Sequence, residues 1–314
     1  MRFERDLKPA LKGIDGIIHL AATGGFTPRI REYLEANTLG TAFMLQIIKN
    51  EHLPIKKIVV ASSVAVYGEG KYQCLKHGAV FPAIRSIEQL ERKEWELKCP
   101  HCGNELKAIP TDEFTPVKPQ KVYSISKFDQ ERLVLGLGEE FGIPSVALRY
   151  FVTYGPRQSL SNPYTGLCSI FSTRLLNDLS AVIYEDGLQT RDFVYVKDVA
   201  AANVLVLESD EADYQVFNVG TGKSLSVLEI ARTLSRIYNK DIEPEVGGKF
   251  RPGEVRHIVA DISKIKGIGF KPKYSFEDGI KEYVEWIKLQ GDIKEYFSKA
   301  QLGLGFEQVV RNCK

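Results

Sequence analysis

The chain has 314 residues, 44% hydrophobic and 26% charged, with 42 basic side chains against 40 acidic ones for a formal net charge of +2, enough apolar material for one large core or two moderate ones. Its basic residues are spread along the chain, which excludes the cationic stripe of a nucleic-acid binder, and no apolar run approaches the roughly 20 residues of a membrane span. Met1 opens on Arg2, Glu4, Arg5 and Asp6 rather than on a signal-peptide pattern, so the expectation is a cytoplasmic protein whose partner is a small molecule, not nucleic acid or membrane.

Short β-branched runs alternate with helical patterns, the mark of an α/β protein with a parallel sheet buried on both faces. Strands are predicted at 16 to 22 (GIIHLAA), 57 to 63 (KIVVASS), 145 to 151 (SVALRYF) and 192 to 196 (DFVYV). Between the first two, Leu39, Phe43, Ile47 and Ile48 fall at helical spacing, which makes a strand, helix, strand unit. Residues 71 to 110 break this rhythm and read as an insertion. A helix then follows Tyr123 to about Phe141, where Gly142 and Pro144 are stop signals. Beyond residue 200 the pattern loosens into YQVFNVG, a strand, and SVLEIARTLSRIY, an amphipathic helix of a smaller lobe. The expected division is a dinucleotide-type domain over 1–155 and 187–213, the insertion over 71–110, a substrate lobe over 156–186 and 214–290, and a tail over 291–314.

The insertion holds three of the five cysteines. Cys74 and His77 form C-x-x-H, Cys99 and Cys102 form C-x-x-C, and residues 78 to 98 separate the pairs. Two chelating pairs suit tetrahedral zinc, with Gly103 fitting a knuckle turn. Redox-active thiols are the alternative, and this C-x-x-C lacks a thioredoxin-like helix start. Four protein ligands leave no open position, so such a zinc would be structural: a clasp closing a loop that leaves the Ser63 strand and returns just before the Tyr123 helix.

Tyr123 and Lys127 in VYSISK lie four residues apart and share one helix face. A lysine cation near a phenol stabilises phenolate, which turns tyrosine into a base usable near neutral pH. Alone, a Y-x-x-x-K also arises on ordinary solvated helix faces. Ser62 and Ser63, however, end a buried strand, and carboxyl ends of strands are where ligands bind in open α/β sheets.

HLAA, NTLGT, SSVAVYG, YSISK, RYFVTYGPRQ, QTRDFVYVKDVA, FNVGTG and RPGEVRH occur in this order along nearly the whole chain. In that order the sequence resembles the nucleotide-sugar epimerases of the extended short-chain dehydrogenase/reductase family. The resemblance implies a Rossmann-type doubly wound sheet, an NAD cofactor, a nucleotide-diphosphate sugar as substrate and a homodimer built on the helix after Asn37 and the helix carrying Tyr123. It also implies roles: Tyr123 as acid/base on the sugar hydroxyl, Lys127 on the nicotinamide ribose, and Ser63 on the same hydroxyl as Tyr123. Ala21, Ala22, Asn37 and Ser62 would border the cofactor. Arg191 and Arg251 would grip the substrate diphosphate, as forked donors suit phosphate oxygens, with Asn162 and Glu254 as further substrate contacts. A 4,6-dehydratase of the family carries acidic groups just after the serine or threonine; here those positions are Val64 and Ala65, which leaves 4-epimerisation. The insertion and the following PTDEFTP are similar to a subgroup acting on dTDP-L-rhamnose, and UDP-hexoses remain open.

Two features depart from the family pattern. The opening strand and Gly-x-x-Gly-x-x-Gly turn do not occur, so relative to that pattern the chain is expected to be N-terminally incomplete, with GIIHLAA as an exposed edge. Val152 stands where most relatives carry Asn. Both keep open a second reading, a homologue that binds sugar nucleotide or a partner chain without turnover.

Overall fold

A computed structural model describes residues 4–24, 30–163, 166–301 and 310–313. Four parallel strands form the central sheet: β1 (Gly16–His19), β2 (Lys57–Ser63), β3 (Ser145–Tyr150) and β4 (Gln215–Val219), hydrogen bonded in that order. Every residue of β2 is buried, as expected for a strand covered on both faces. Successive side chains alternate: Val59 joins the core under Val199, Ala202 and Val206 of α3 (Val196–Glu208), whereas Ile58 and Val60 join the opposite core with Met44, Leu45 and Ile48 of α1 (Gly40–Asn50). Burying each such side chain stabilises the fold by about 1.5–3 kcal/mol.

The α2 helix (Val122–Phe141) covers β2 and β3 and carries Tyr123 and Lys127. It stops at Gly142, which takes the left-handed conformation at φ 68°, open to glycine without a Cβ penalty. Inside the helix, Gly138 lets it approach β3 closely, because a Cβ there would sit 2.2 Å from the Ser145 hydroxyl.

Among the described residues β1 is an edge, with Ile18 37% and Leu20 58% exposed, as the sequence predicts. The smaller lobe has its own core, where Phe171, Leu175, Phe193 and Tyr195 meet Ile230, Leu234, Ile280 and Val284. Its helix Val227–Ile237 starts with a capping box between Ser226 and Glu229.

Three segments depart from the predicted boundaries. Gln215–Val219, assigned by sequence to the small lobe, pairs in parallel with β3 because its apolar residues Phe217 and Val219 fill the main core. Phe193–Tyr195 instead pairs with Val152–Tyr154 and buries Phe193 and Tyr195 in the small-lobe core. In the tail, Phe297 of a short helix is buried, and Arg311–Asn312 pairs with Lys249–Phe250. The insertion is a three-stranded antiparallel sheet of Gly78–Val80, Tyr72–Cys74 and Lys107–Ala108 with its own small core.

Candidate active site and metal centre

Parallel strands bring their carboxyl ends to one edge of the sheet, so Ser63 at the end of β2, the loop after β1 and the start of α2 converge there. The Tyr123 phenol lies near the Ser63 hydroxyl, and its ring meets Tyr33 edge-on at 6.3 Å. Burial holds this phenol above its ordinary range, with the nearby Ser63 hydroxyl pulling the other way and Tyr33 adding to the rise. The helical spacing alone predicts the opposite direction. Here desolvation dominates, and the Lys127 ammonium donates to Gln130 Oε1 at 2.6 Å. Burial in turn lowers Lys127 to about 8, against the attraction of Glu131.

Gln130 and Glu131 are neighbours of the candidate site that motif reading passed over, although both lie within one turn of Lys127. Gln130 is fully buried, and its amide nitrogen donates to Thr41 at 2.9 Å and to the Ala21 carbonyl at 3.2 Å, which turns its oxygen toward the lysine. The same nitrogen lies 2.9 Å from His19 Nε2, and burial, then the Lys127 charge, hold that imidazole down to about 4. His19 is therefore neutral at physiological pH.

Asn37, wholly buried, accepts from Thr23 N at 2.6 Å and donates to Thr23 O at 3.0 Å and Ser126 Oγ at 2.9 Å, which ties the loop after β1 to α2. Ala21 and Ala22 are exposed in that loop, and a Cβ on Gly24 would lie 3.7 Å from the Tyr123 ring. Ser62 points elsewhere: its hydroxyl donates to Glu131 at 2.6 Å, and Glu131 also receives a forked pair from Arg149 at 2.6 and 3.0 Å.

A cavity of about 320 Å³ opens on the small lobe, walled by Val152, Phe171, Phe193 and Phe297 with Arg191, Arg251 and Glu254 among its polar groups. Arg191 is oriented by backbone carbonyls, donating to Thr190 O at 2.8 Å, Arg256 O at 3.0 Å and Val255 O. Arg251 lies over the Tyr184 ring at 4.7 Å. Burial would push Glu254 up, yet Lys121, Arg251 and Arg191 together hold it below the usual carboxylate range. Its 3.3 Å contact with Lys121 links the cavity to the N-cap of α2, two residues before Tyr123. Asn162 stands in the loop before helix Leu167–Leu176 and is not among the described residues that wall the cavity.

In the insertion, the Cys74, His77, Cys99 and Cys102 ligand atoms all lie within 4.8 Å of one another. Cys74 Sγ is 3.7 Å from Cys102 Sγ, and His77 Nδ1 is 3.5 Å from both Cys74 and Cys99 Sγ. A tetrahedral zinc with ordinary bond lengths requires edges of about 3.8 Å between sulfurs and about 3.5 Å between sulfur and nitrogen. The donor set and its spacing therefore fit a closed four-ligand site. The sulfurs stand far beyond the S–S bond length of about 2.05 Å, so no disulfide joins them.

A parallel sheet with a Ser-Tyr-Lys group at its carboxyl edge, beside an arginine-lined cavity, defines the short-chain dehydrogenase/reductase class of α/β enzyme. Comparison with known proteins narrows this. Residues 3–82 match the profile of the NAD dependent epimerase/dehydratase family and residues 103–283 that of GDP-mannose 4,6 dehydratase, while residues 69–109, the insertion, match a domain of unknown function. A dTDP-L-rhamnose 4-epimerase of Burkholderia thailandensis is 36% identical over 283 residues, 88% of this chain and 76% of the relative. The solved UDP-N-acetylglucosamine 4-epimerase of Methanobrevibacter ruminantium, in complex with UDP-N-acetylmuramic acid, superposes with a TM-score of 0.72 at 33% identity, covering 91% of this chain and 80% of that one. The UDP-glucuronic acid 4-epimerase of Bacillus cereus, solved with UDP-glucuronic acid and NAD, gives 0.72 at 28% identity, with coverage of 90% and 78%. The chain belongs to the NAD-dependent epimerase/dehydratase family, among its nucleotide-sugar epimerases.

Proposed function

We propose that the protein is an NAD-dependent 4-epimerase of a nucleotide-diphosphate sugar, of the dTDP-L-rhamnose or UDP-hexose type, working through a transient 4-keto sugar. The observation that carries this is the Ser63–Tyr123 pair followed by Val64 and Ala65: one group able to move a proton, and none placed to drive an elimination. NAD, when bound, supplies a hydride acceptor that returns the hydride, so the reaction has no net redox change. Ala21, Ala22, Asn37 and Lys127, grouped about the end of β1 and the start of α2, are the residues that would border it.

Tyr123 takes the proton of the sugar hydroxyl and returns it after the ketone has turned its other face. Ser63, beside the phenol at the end of β2, orients that hydroxyl. Arg191 and Arg251 hold the diphosphate, and with the phosphates fixed the sugar turns about them. Val152 replaces a hydrogen-bonding group in the cavity wall with an apolar one, which frees the sugar at that point.

The zinc of the insertion is structural in this reading, since its four ligands close the coordination sphere. Leu39 (45% exposed) and Ile125 (40% exposed), on the two helical segments near the site, supply an apolar surface for homodimerisation. No described helix is long and apolar enough to cross a membrane.

Incubation of dTDP-L-rhamnose and of UDP-glucose with the protein and NAD is expected to yield a C4 epimer, read by proton NMR. Absence of an epimer from every nucleotide sugar tried, with NAD bound, overturns the proposal in favour of binding without turnover.

A further inference from the structure

The insertion grips one strip of the small lobe, residues 254–257, from three separate places. Tyr72, two residues before Cys74 and fully buried, accepts from His257 N and donates to His257 O, both at 3.1 Å. Glu96, three residues before Cys99, accepts from Arg256 Nε at 3.0 Å and Nη2 at 2.6 Å and meets His257 Nε2 at 3.1 Å. Arg85, between them, donates through Nη2 to the Glu254 carbonyl at 2.9 Å.

Arg85 also reaches the cavity wall. Its guanidinium makes a forked pair with Glu185, at 2.7 and 3.0 Å, and its side chain is 1% exposed. Glu185 takes φ 57°, a left-handed conformation that non-glycine residues adopt at a cost, and its carboxylate also accepts from Arg256 at 3.2 Å. The strip so held is the one whose carbonyls, at Val255 and Arg256, aim Arg191. Glu185, Glu254, Arg191 and Arg251 all face the cavity.

From this geometry we infer that the metal-clasped insertion is a working part of the substrate cavity. Arg85 is the positioning residue through which it holds Glu185 and the 254–257 strip, and with them the arginine that meets the diphosphate. The insertion touches no reacting atom; its contribution is to affinity and to the placement of the nucleotide end. The inference rests on the cavity being the nucleotide-sugar site.

The test uses dTDP and UDP as probes in calorimetry on the full chain, beside Arg85→Lys and the double variant Arg85→Met with Glu185→Gly. The double variant removes the Glu185 carboxylate that the methionine would strand, glycine accepts the left-handed φ, and Glu69, 3.9 Å from Arg85 Nε, keeps its bond from Arg256 N; urea unfolding checks that the variant is folded. Both variants are expected to bind the nucleotide at least tenfold more weakly and to raise KM, with kcat and NAD affinity near wild type. Lysine, lacking the fork, should restore less than half of the lost affinity. A folded double variant with wild-type nucleotide affinity and KM overturns the inference while leaving the epimerase reading standing. If the wild-type chain itself binds neither nucleotide, the reading of the cavity fails, and the inference with it.

Discussion

Two buried ion networks hold this molecule, and they differ in what they join. Arg149 and Glu131 lie within the main layer: β3 supplies the arginine, α2 the glutamate, and Ser62, Tyr67 and Asn218 complete the chain of hydrogen bonds. Arg85, Glu185, Arg256, Glu96 and Asp186 instead bridge the insertion and the small lobe. The first network braces the edge on which Tyr123 stands. The second shapes a cavity from outside. A buried pair inside one layer is locked by many neighbours, whereas a buried pair between modules concentrates their attachment in a few side chains.

The comparison is most directly broken by Glu131→Gln. This leaves Arg149 buried against one neutral amide, and loss of a buried partner costs about 3–5 kcal/mol. Urea unfolding should show that loss in full; a change under 1 kcal/mol would mean the inner network is not the brace it is taken to be. Tyr123→Phe is expected to lower kcat by at least about 10²-fold with unfolding unchanged, the usual contribution of a positioned acid/base. Equal activity in the phenylalanine variant would place the chemistry elsewhere.

Zinc removal addresses the outer region. Chelation is expected to speed hydrogen exchange across 71–110 and to raise KM for the nucleotide sugar, while β2, β3 and α2 stay protected. Elemental analysis of the purified protein that finds no zinc removes the clasp altogether.

The smallest effect is a pH limb. Hydrogen bonding to His257, and then to Arg256 with its charge, pulls Glu96 down to about 2, outweighing the rise that partial burial causes. A carboxylate with a depressed folded pKa contributes stability that is whole above its unfolded value, near 4, and is lost as pH falls through the folded value, near 2. Glu96→Gln should therefore flatten the stability profile between about pH 4 and 2, without moving the neutral-pH limb of activity. An unaltered acid profile would show that Glu96 does not tie the insertion to the lobe.

Much of the inner region is legible in the chain. The strand ends at Ser63 and Tyr150 and the helix of Tyr123 and Lys127 follow from local period and stop signals. Gln130 and Glu131 carry no comparable signal, because a glutamine and a glutamate on a helix are ordinary surface residues until a strand covers them. The phenol's direction was equally hidden, since spacing shows that a lysine is near but not how much water the fold removes. In the outer region the two chelating pairs can be read by spacing, but nothing near Arg85 marks it. Its partners in the small lobe, Glu185 and Glu254, are 100 and more residues away, and Glu185 sits in a turn whose left-handed φ the letter Glu would argue against.

By itself, then, the amino-acid sequence determined the alternation of strands and helices, the placing of Ser63, Tyr123 and Lys127 at one end of the sheet, and the pairing of Cys74 and His77 with Cys99 and Cys102. Each of these is written in periodicity or in spacing along a few turns of chain. Tertiary structure alone decided that Gln215–Val219 completes the main sheet, that Phe297 of the tail walls the cavity, and that Arg85 reaches Glu185. Those are contacts between segments far apart in the chain, settled by which apolar faces and buried charges find one another when water is excluded.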